Sequence, residues 1–409
     1  MRISLRSKST REAVGAISWN LTGMMFSLIT GVVSARILAP DDRGLLALAL
    51  SISSLGYLVS SLGTNSAVRT LQPREVWAGF RTYIQVSAIL SFLNLVVLLL
   101  ITSGFVALGY VGFSDHVIII AVLGALTFTS NQMLDMFNAT GRASLSALAN
   151  TTGHLTTTLS LLLIFFFLEE FAHLPGVLIA YALSFGARIL IMILMARRVD
   201  FEYGEADKRS RKKFLKASTR FWGINLGQTL TFRSNHFILG IFSTAYNVGL
   251  YAVAATPASL MQVVSNSLGQ VAYREAATGE LTKRRLFKFL VAGFSITLVY
   301  ATAMWLLAPW LIPWVFGAAY AEAVPVVRVL VFASLLLSPY AILVRVLAGL
   351  NQPHSSSISG LIGFIILAPT LSVLTPEFGA MGAAVGTIIA YAGMLVFVTV
   401  RVTSSFARH

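Results

Sequence analysis

The chain has 409 residues, 56% of them hydrophobic and 11% charged, with 30 Lys and Arg against 16 Asp and Glu and no cysteine. Soluble domains are charged at about a quarter of their positions, so this composition and a mean hydropathy of +0.79 exclude a water-soluble globular protein, and the lack of cysteine excludes a disulfide scaffold. A net charge of +14 in so apolar a chain reads as basic loops at a membrane face rather than as a nucleic-acid surface.

A helix needs about 20 mostly apolar residues to cross a bilayer. Twelve such runs are predicted, at 13–38, 45–66, 79–103, 113–137, 145–168, 174–196, 218–242, 247–272, 286–312, 323–348, 355–374 and 379–401. The first follows a basic start, as in a signal peptide, but at about 25 residues it is too long for a signal-peptide core and reads as a span. Pro309, Pro313, Pro339 and Pro369 interrupt later runs; membrane helices tolerate proline when neighbours satisfy the freed carbonyls.

The loops alternate in charge. Basic residues gather in the N-terminus (Arg2, Arg6, Lys8, Arg11), the second loop (Arg69, Arg74, Arg81), the fourth (Arg142), the sixth (Arg197 to Arg220), the eighth (Arg274, Lys283, Arg284, Arg285, Lys288) and the C-terminus (Arg401, Arg408). The alternate loops hold Asp41, Asp42, Asp115, Glu169, Glu170, Glu322 and Glu377, with Arg43 as their basic residue. By the positive-inside rule both termini are cytoplasmic. The opposite loops are short, which leaves no extramembrane domain for an active site, and the expected role is not enzymatic.

Two stretches repeat. Asn20-Leu21, Gly44-Leu45 and Ala47-Leu48-Ala49 align with Asn225-Leu226, Gly249-Leu250 and Ala252-Val253-Ala254 at an offset of 205, and Gly176 to Ala182 aligns with Gly386 to Ala392 at an offset of 210. A duplicated six-span unit is expected, its halves in the same orientation, as in transporters built from parallel repeats. The chain is therefore read as an all-α integral membrane protein of about 12 spans in two six-helix lobes. The N-terminal lobe covers 1–199, a basic cytoplasmic linker 200–216, and the C-terminal lobe 217–409. Phe214 and Leu215 among the linker's lysines give it the pattern of a surface amphipathic helix or of a solvated tether.

Ionisable residues inside spans are costly and mark function by default. Here they are Arg36, Asp135, His154, Arg188, Arg233, His236, Arg328 and Arg345. Most are arginines, and guanidinium binds phosphate through two parallel hydrogen bonds, so the balance favours an anionic ligand. Arg36 and Arg328 sit near span ends, where snorkelling is an alternative; Arg345 also adds to the positive-inside pattern; Arg188 is placed to pair with Asp135. Arg233, mid-span beside Asn235 and His236, is the prime candidate. Asn20, Asn225, Gln228, Gln262 and Asn266 lie in the first, seventh and eighth spans and suit either a polar cavity or interhelical hydrogen bonding. Asp135 and His236 are the candidates for ion coupling. No GxxxxGK[ST] loop and no metal-ligand motif is found, and no cofactor is expected.

Three motifs resemble a known family. Ser34-Ala35-Arg36-Ile37-Leu38-Ala39-Pro40 with Gly44 is similar to an "ARxLGP…G" signature; Arg233-Ser234-Asn235 through Leu239-Gly240 to Val248-Gly249-Leu250-Tyr251 and Ala254 is similar to "RxD…LG…VGxYxxA"; Val315-Phe316-Gly317, Tyr320 and Ala323 are similar to "FGxxYxxA". Together they resemble the polysaccharide or O-antigen flippases of the multidrug/oligosaccharidyl-lipid/polysaccharide superfamily. Asn235 departs from the pattern, which has Asp there, and this puts any ion coupling by that position in doubt.

The resemblance implies a MATE-like, two-lobed, alternating-access protein of the cytoplasmic (inner) membrane that moves undecaprenyl-diphosphate-linked oligosaccharides outward. Its partners would be the lipid-linked glycan, the bilayer, and the polysaccharide polymerase and glycosyltransferases; a monomer is expected. Arg233, Arg36, Arg188 and Arg345 would neutralise the diphosphate, and Asn20, Asn225, Gln228, Asn235 and Gln262 would bind sugar hydroxyls. The main alternative is a cation-coupled drug or metabolite antiporter of the same fold.

Overall fold

The computed structural model describes the backbone of residues 2–71, 80–197 and 208–407, and the side chains within these except 2–11, 13, 111, 210, 223–226, 228, 353 and 407. Among the described residues there is no strand. The chain runs through α1 (Arg2–Ile37), α2 (Pro40–Ser60), the short α3 (Thr64–Leu71), α4 (Phe80–Ala107), α5 (Val117–Ala139), α6 (Ala143–Phe167), α7 (Leu174–Ala196), α8 (Lys208–Phe242), α9 (Ala245–Thr278), α10 (Lys283–Phe316), α11 (Ala323–Gly349) and α12 (Pro353–Ala407). At Gly379 α12 leaves helical geometry (φ 51°, ψ −128°), so it makes two passes. Arg74, residues 200–207 of the expected linker, and the side chains of Asn225 and Gln228 lie outside the described residues.

Nine helices among the described residues are long and apolar enough to cross a membrane, α12 counted once. α6 falls short because it carries Thr151, Thr152, Thr156, Thr157 and Thr158, and α8 is described only in part, its side chains at 223–226 and 228 lying outside the described residues. With these two and the second pass of α12, each of the twelve expected spans has its helix. Large apolar side chains face outward as they do toward lipid: Phe92, Ile118, Phe167 and Val299 are each more than 70% exposed. Soluble monomers rarely expose apolar surface on that scale. Exposed Trp305, Trp310 and Trp314 on α10 suit a membrane–water interface, where indole is favoured. The protein is a multi-pass membrane protein.

Two helices begin earlier than the hydrophobic runs suggest. α2 starts at Pro40, not near 45, because Pro at the first helical position and Asp41 and Asp42 in the first turn favour a helix start. Arg43 is therefore a buried helical residue, 8% exposed, and not part of a loop. α8 starts at Lys208, ten residues before the apolar run, and its early turns are amphipathic: Phe214 is fully buried, with its ring against Tyr83 at 6.1 Å.

The duplication is visible element by element. α1 pairs with α8, α2 with α9, α4 with α10, α5 with α11, and α6 and α7 with the two passes of α12. α2 and α9 start at Pro40 and Ala245, an offset of 205. The α5–α6 turn has Gly141 at φ 72°, and the α11–α12 turn has Asn351 at φ 61°, an offset of 210. Packing repeats as well. In the first half α6 leans on α1, with Thr151 Oγ1 2.6 Å from the Trp19 carbonyl and Thr158 Oγ1 3.0 Å from that of Phe26. In the second, Thr231 Oγ1 of α8 lies 2.6 Å from the Gly360 carbonyl of α12. Such interhelical hydrogen bonds are worth about 0.6 kcal/mol each in a membrane.

The chain divides into two compact units, one of residues 1–38 and 49–223, the other of 39–48 and 224–409. In the first, α5 packs against α4 and α7, over a core that includes Phe80, Tyr83, Phe128, Phe137 and Phe214. In the second, α11 is the central helix, touching α9, α10 and α12, over Tyr340, Ile342, Val346, Leu347, Met394 and Val398. α9 ends in a left-handed glycine, Gly279, and α10 opens with Thr282 accepting the Arg285 N–H at 3.3 Å. The Arg285–Glu275 ion pair (2.7 Å) ties the two helices across this turn.

Candidate functional site

The second unit holds a cavity of about 400 Å³ between α9 and α11, with α8 and the start of α12 closing it. This is the lower part of the size range of small-molecule sites, about 300–1,000 Å³. Its polar lining is Gln262, Ser265 and Asn266 from α9, Ser334, Ser338 and Arg345 from α11, and Ser356 from α12. Phe232 and Tyr340 supply aromatic walls. None of the described lining residues is acidic.

Helical spacing builds this surface. Gln262, Ser265, Asn266 and Gly269 fall at i, i+3, i+4 and i+7 on α9, one stripe of the helix. On α11, Ser334, Ser338, Ala341 and Arg345 fall at similar intervals. Gly269 matters for the fit, because a Cβ there would come within 2.6 Å of Arg345 Cδ. Arg345 is half-buried and donates from Nη2 to Asn266 Oδ1 at 3.2 Å. Ser265 donates to Ser338 Oγ at 2.9 Å, and Ser334 to the Ala258 carbonyl at 3.3 Å. The arrangement offers one fixed cation, amide groups and hydroxyls in an acid-free hollow, which is the chemistry for phosphate and sugar oxygens.

The matching position in the first unit has the opposite charge. Asp135 and Arg345 each lie six residues before the left-handed residue of their turn, Gly141 or Asn351, and so are mates in the repeat. Asp135 is 2% exposed. It forms an ion pair with Arg69, from the last turn of α3, and accepts from Tyr57 Oη at 3.0 Å. Close by, Gln132 accepts from Tyr83 Oη and donates from Nε2 to Thr64 Oγ1 at 3.0 Å. The carboxylate is thus matched by a guanidinium and a phenol.

Other candidate residues are dispersed. Arg188 does not meet Asp135: it is buried, donates from Nη1 to Ser130 Oγ at 3.3 Å, stacks over Phe185 and leaves Nε without a partner. The pairing fails because Asp135 points to α3 while Arg188 is packed against Gly153 of α6. Arg233 is exposed on α8 and is not part of the cavity lining; Asn20 and Arg36 are exposed on α1. Asn235 is 7% exposed with Oδ1 unsatisfied, and His236 lies edge-on to Tyr251 at 5.3 Å. Arg328 stacks over Trp305 at 4.5 Å and donates to its carbonyl.

Of the expected residues, Gln262, Asn266 and Arg345 come together. The serines around them do not stand out in the sequence, because a serine in a membrane helix usually bonds its own i−4 carbonyl. Spacing was the available signal: Ser334 and Ser338 share the stripe of Arg345. Arg69, counted from sequence only as a basic loop residue, is the partner of the buried acid.

The structure resembles solved membrane transporters over nearly its whole length. An inward-facing multidrug resistance MATE family transporter of the MOP superfamily matches with a TM-score of 0.73 at 16% identity, over 96% of this chain and 98% of that one. The lipid II flippase MurJ, in an inward closed conformation, matches with a TM-score of 0.74 at 11% identity, over 96% and 87%. The eukaryotic MATE transporter AtDTX14 matches with a TM-score of 0.62 at 12% identity, over 97% and 96%. At these identities the likeness is one of fold. No curated protein sequence matches the chain. The family described as polysaccharide biosynthesis protein matches residues 10–273, and with well over half of its length inside that match, the chain belongs to that family.

Proposed function

We propose that this protein is a flippase, moving polyprenyl-diphosphate-linked oligosaccharide units across the cytoplasmic membrane by alternating access for the assembly of a surface polysaccharide. The observation that carries the reading is the acid-free cavity of the second unit, where Arg345 stands among Asn266, Gln262 and serine hydroxyls. A diphosphate cannot cross hydrocarbon bare, since an unmatched charge there is heavily penalised. A guanidinium already oriented by Asn266 answers that charge, and the surrounding amides and hydroxyls replace water around phosphate and sugar oxygens. Arg233, exposed on α8 of the same unit, is a further contact for the headgroup, and the lipid tail stays in the bilayer.

Membership of a polysaccharide biosynthesis family supports the substrate class, and the fold suits a lipid II flippase and a multidrug transporter alike. The cavity favours a carrier of lipid-linked sugars over a cation-coupled antiporter. A cation-coupled antiporter would draw on a buried carboxylate, and Asp135 is engaged by Arg69 and Tyr57.

The test is restoration of surface glycan in a flippase-null cell at equal expression. Losing one charge-assisted hydrogen bond of about 1.5–3 kcal/mol corresponds to roughly a 10- to 100-fold weaker headgroup interaction. Arg345→Ala should therefore fail, and Arg345→Lys should restore part of the glycan. Full restoration by Arg345→Ala would sink the anion-site reading.

A further inference from the structure

The first unit has a second opening, a groove of about 530 Å³ between the early turns of α4 and α8. Its two sides differ in kind. Val86, Ile89 and Leu90 of α4 form an apolar wall, which continues onto the lipid-facing surface through Ile89, 63% exposed, and Ile84, 43% exposed. On α8 the lining residues are Lys208, Arg211, Lys212 and Leu215. These fall at i, i+3, i+4 and i+7, so one stripe of the helix carries three cations followed by a leucine. Phe214, buried against Tyr83, fixes the rotation of α8 and holds that stripe over the groove.

Among the described residues, none of the groove's lining groups offsets these cations. Arg211 is partly buried, and its Nε is shut off from solvent without a hydrogen-bond partner. Lys208 and Lys212 are exposed, and no described lining residue is acidic. A groove with a basic rim and an apolar wall reaching into the lipid-facing surface matches one kind of molecule at both ends: an anionic headgroup on an acyl chain. Basic pockets between membrane helices at the bilayer surface are lipid-headgroup sites on physical grounds.

We propose that this groove is a binding site for an anionic phospholipid, its phosphate held by Lys208, Arg211 and Lys212 and an acyl chain laid along Val86, Ile89 and Leu90. The lipid would clamp the start of α8 against α4. The site is separate from the Arg345 cavity and does not depend on the flippase reading.

The test uses the full chain in detergent, titrated with phosphatidylglycerol or with phosphatidylcholine of the same acyl chains and read by native mass spectrometry. Thermal unfolding of each variant checks that it is folded. Wild type should retain phosphatidylglycerol in preference to phosphatidylcholine. Each basic residue near an anionic surface strengthens binding by about five-fold, so Lys208→Gln/Arg211→Gln/Lys212→Gln should weaken retention by roughly a hundred-fold. Ile89→Trp fills the groove without changing charge and should also weaken it. Lys283→Gln/Arg284→Gln/Lys288→Gln removes the same charge from the start of α10, away from this groove, and should bind as wild type does. Equal loss in that control, equal retention of the two lipids, or unchanged binding in Ile89→Trp would overturn the proposal. Selective displacement of phosphatidylglycerol by polyprenyl phosphate at equal concentration would overturn it too, in favour of a substrate site.

Discussion

At the scale of single residues, a duplicated fold places opposite charges at one position. Asp135 in α5 and Arg345 in α11 are repeat mates, yet the first is matched by Arg69 and Tyr57 and the second faces a hollow beside Asn266. The first is therefore assigned to stability, and the second is the residue proposed to meet ligand. Arg69→Gln leaves a buried carboxylate short of its main partner and should cost about 1–3 kcal/mol, read as a lower midpoint of thermal unfolding in detergent. Asp135→Asn keeps the Tyr57 contact and removes the charge, so it should cost less. The double variant should be more stable than the two single losses added together, because each single change strands a partner. Simple additivity would show that the pair is not coupled. The sequence reveals that Asp135 is a lone acid among arginines but not its partner, because Arg69 reaches it from a short helix that reads as loop.

At the scale of elements, the repeat shapes the meeting of α2 and α9. Gly44 and Gly249 are mates at the offset of 205, and each sits against the other helix's start: a Cβ on Gly44 would run into the Ala245 carbonyl oxygen, and one on Gly249 into that of Pro40. Ala245 is itself the mate of Pro40, so the contact is self-complementary in the manner of a two-fold interface. Backbone carbonyls cannot swing aside as side chains can, so Gly44→Ala or Gly249→Ala should separate the helices and abolish glycan export, with a lowered unfolding midpoint. Normal export at normal abundance would show that the close approach is dispensable. A milder change concerns Asn247, whose Oδ1 accepts the Ala380 N–H at 3.3 Å where α12 resumes after Gly379. Asn247→Ala removes a cap of about 1 kcal/mol, and thermal unfolding should register that loss.

The same helix start shows why sequence placed the spans but not all their ends. Hydrophobic length located every span, since lipid demands it. The run Pro40-Asp41-Asp42-Arg43-Gly44 looks like a loop by polarity. By capping chemistry it opens a helix, and there Arg43 is buried by packing that hydropathy does not see.

At the scale of the whole molecule, the twelve passes, the repeated turns and the charge alternation describe one plan, two same-handed halves of six passes each. An even number of passes puts both termini on one side, and the positive-inside rule predicts that this side is the cytoplasm. Reporters fused at the N-terminus, the C-terminus and the 197–207 stretch should all be cytoplasmic, and one fused between Glu169 and His173 should be on the other side; any mixed pattern would contradict the topology. The fold and its duplication were legible because they rest on periodicity over long stretches. The cavity was legible only through Gln262, Asn266 and Arg345, because its other groups are serines whose hydroxyls are indistinguishable in sequence from those bonded to their own helix.

The central claim is that the protein carries a lipid-linked, anionic sugar headgroup across the bilayer by way of Arg345. It is tested most directly in sealed vesicles containing the purified protein and a fluorescent polyprenyl-diphosphate disaccharide, with a membrane-impermeant quencher outside. Wild type should bring the inner-leaflet probe steadily within reach of the quencher, and Arg345→Ala, folded to the same extent, should do so about ten-fold or more slowly. Probe that stays protected with wild type, or that crosses equally fast with Arg345→Ala, would contradict the account.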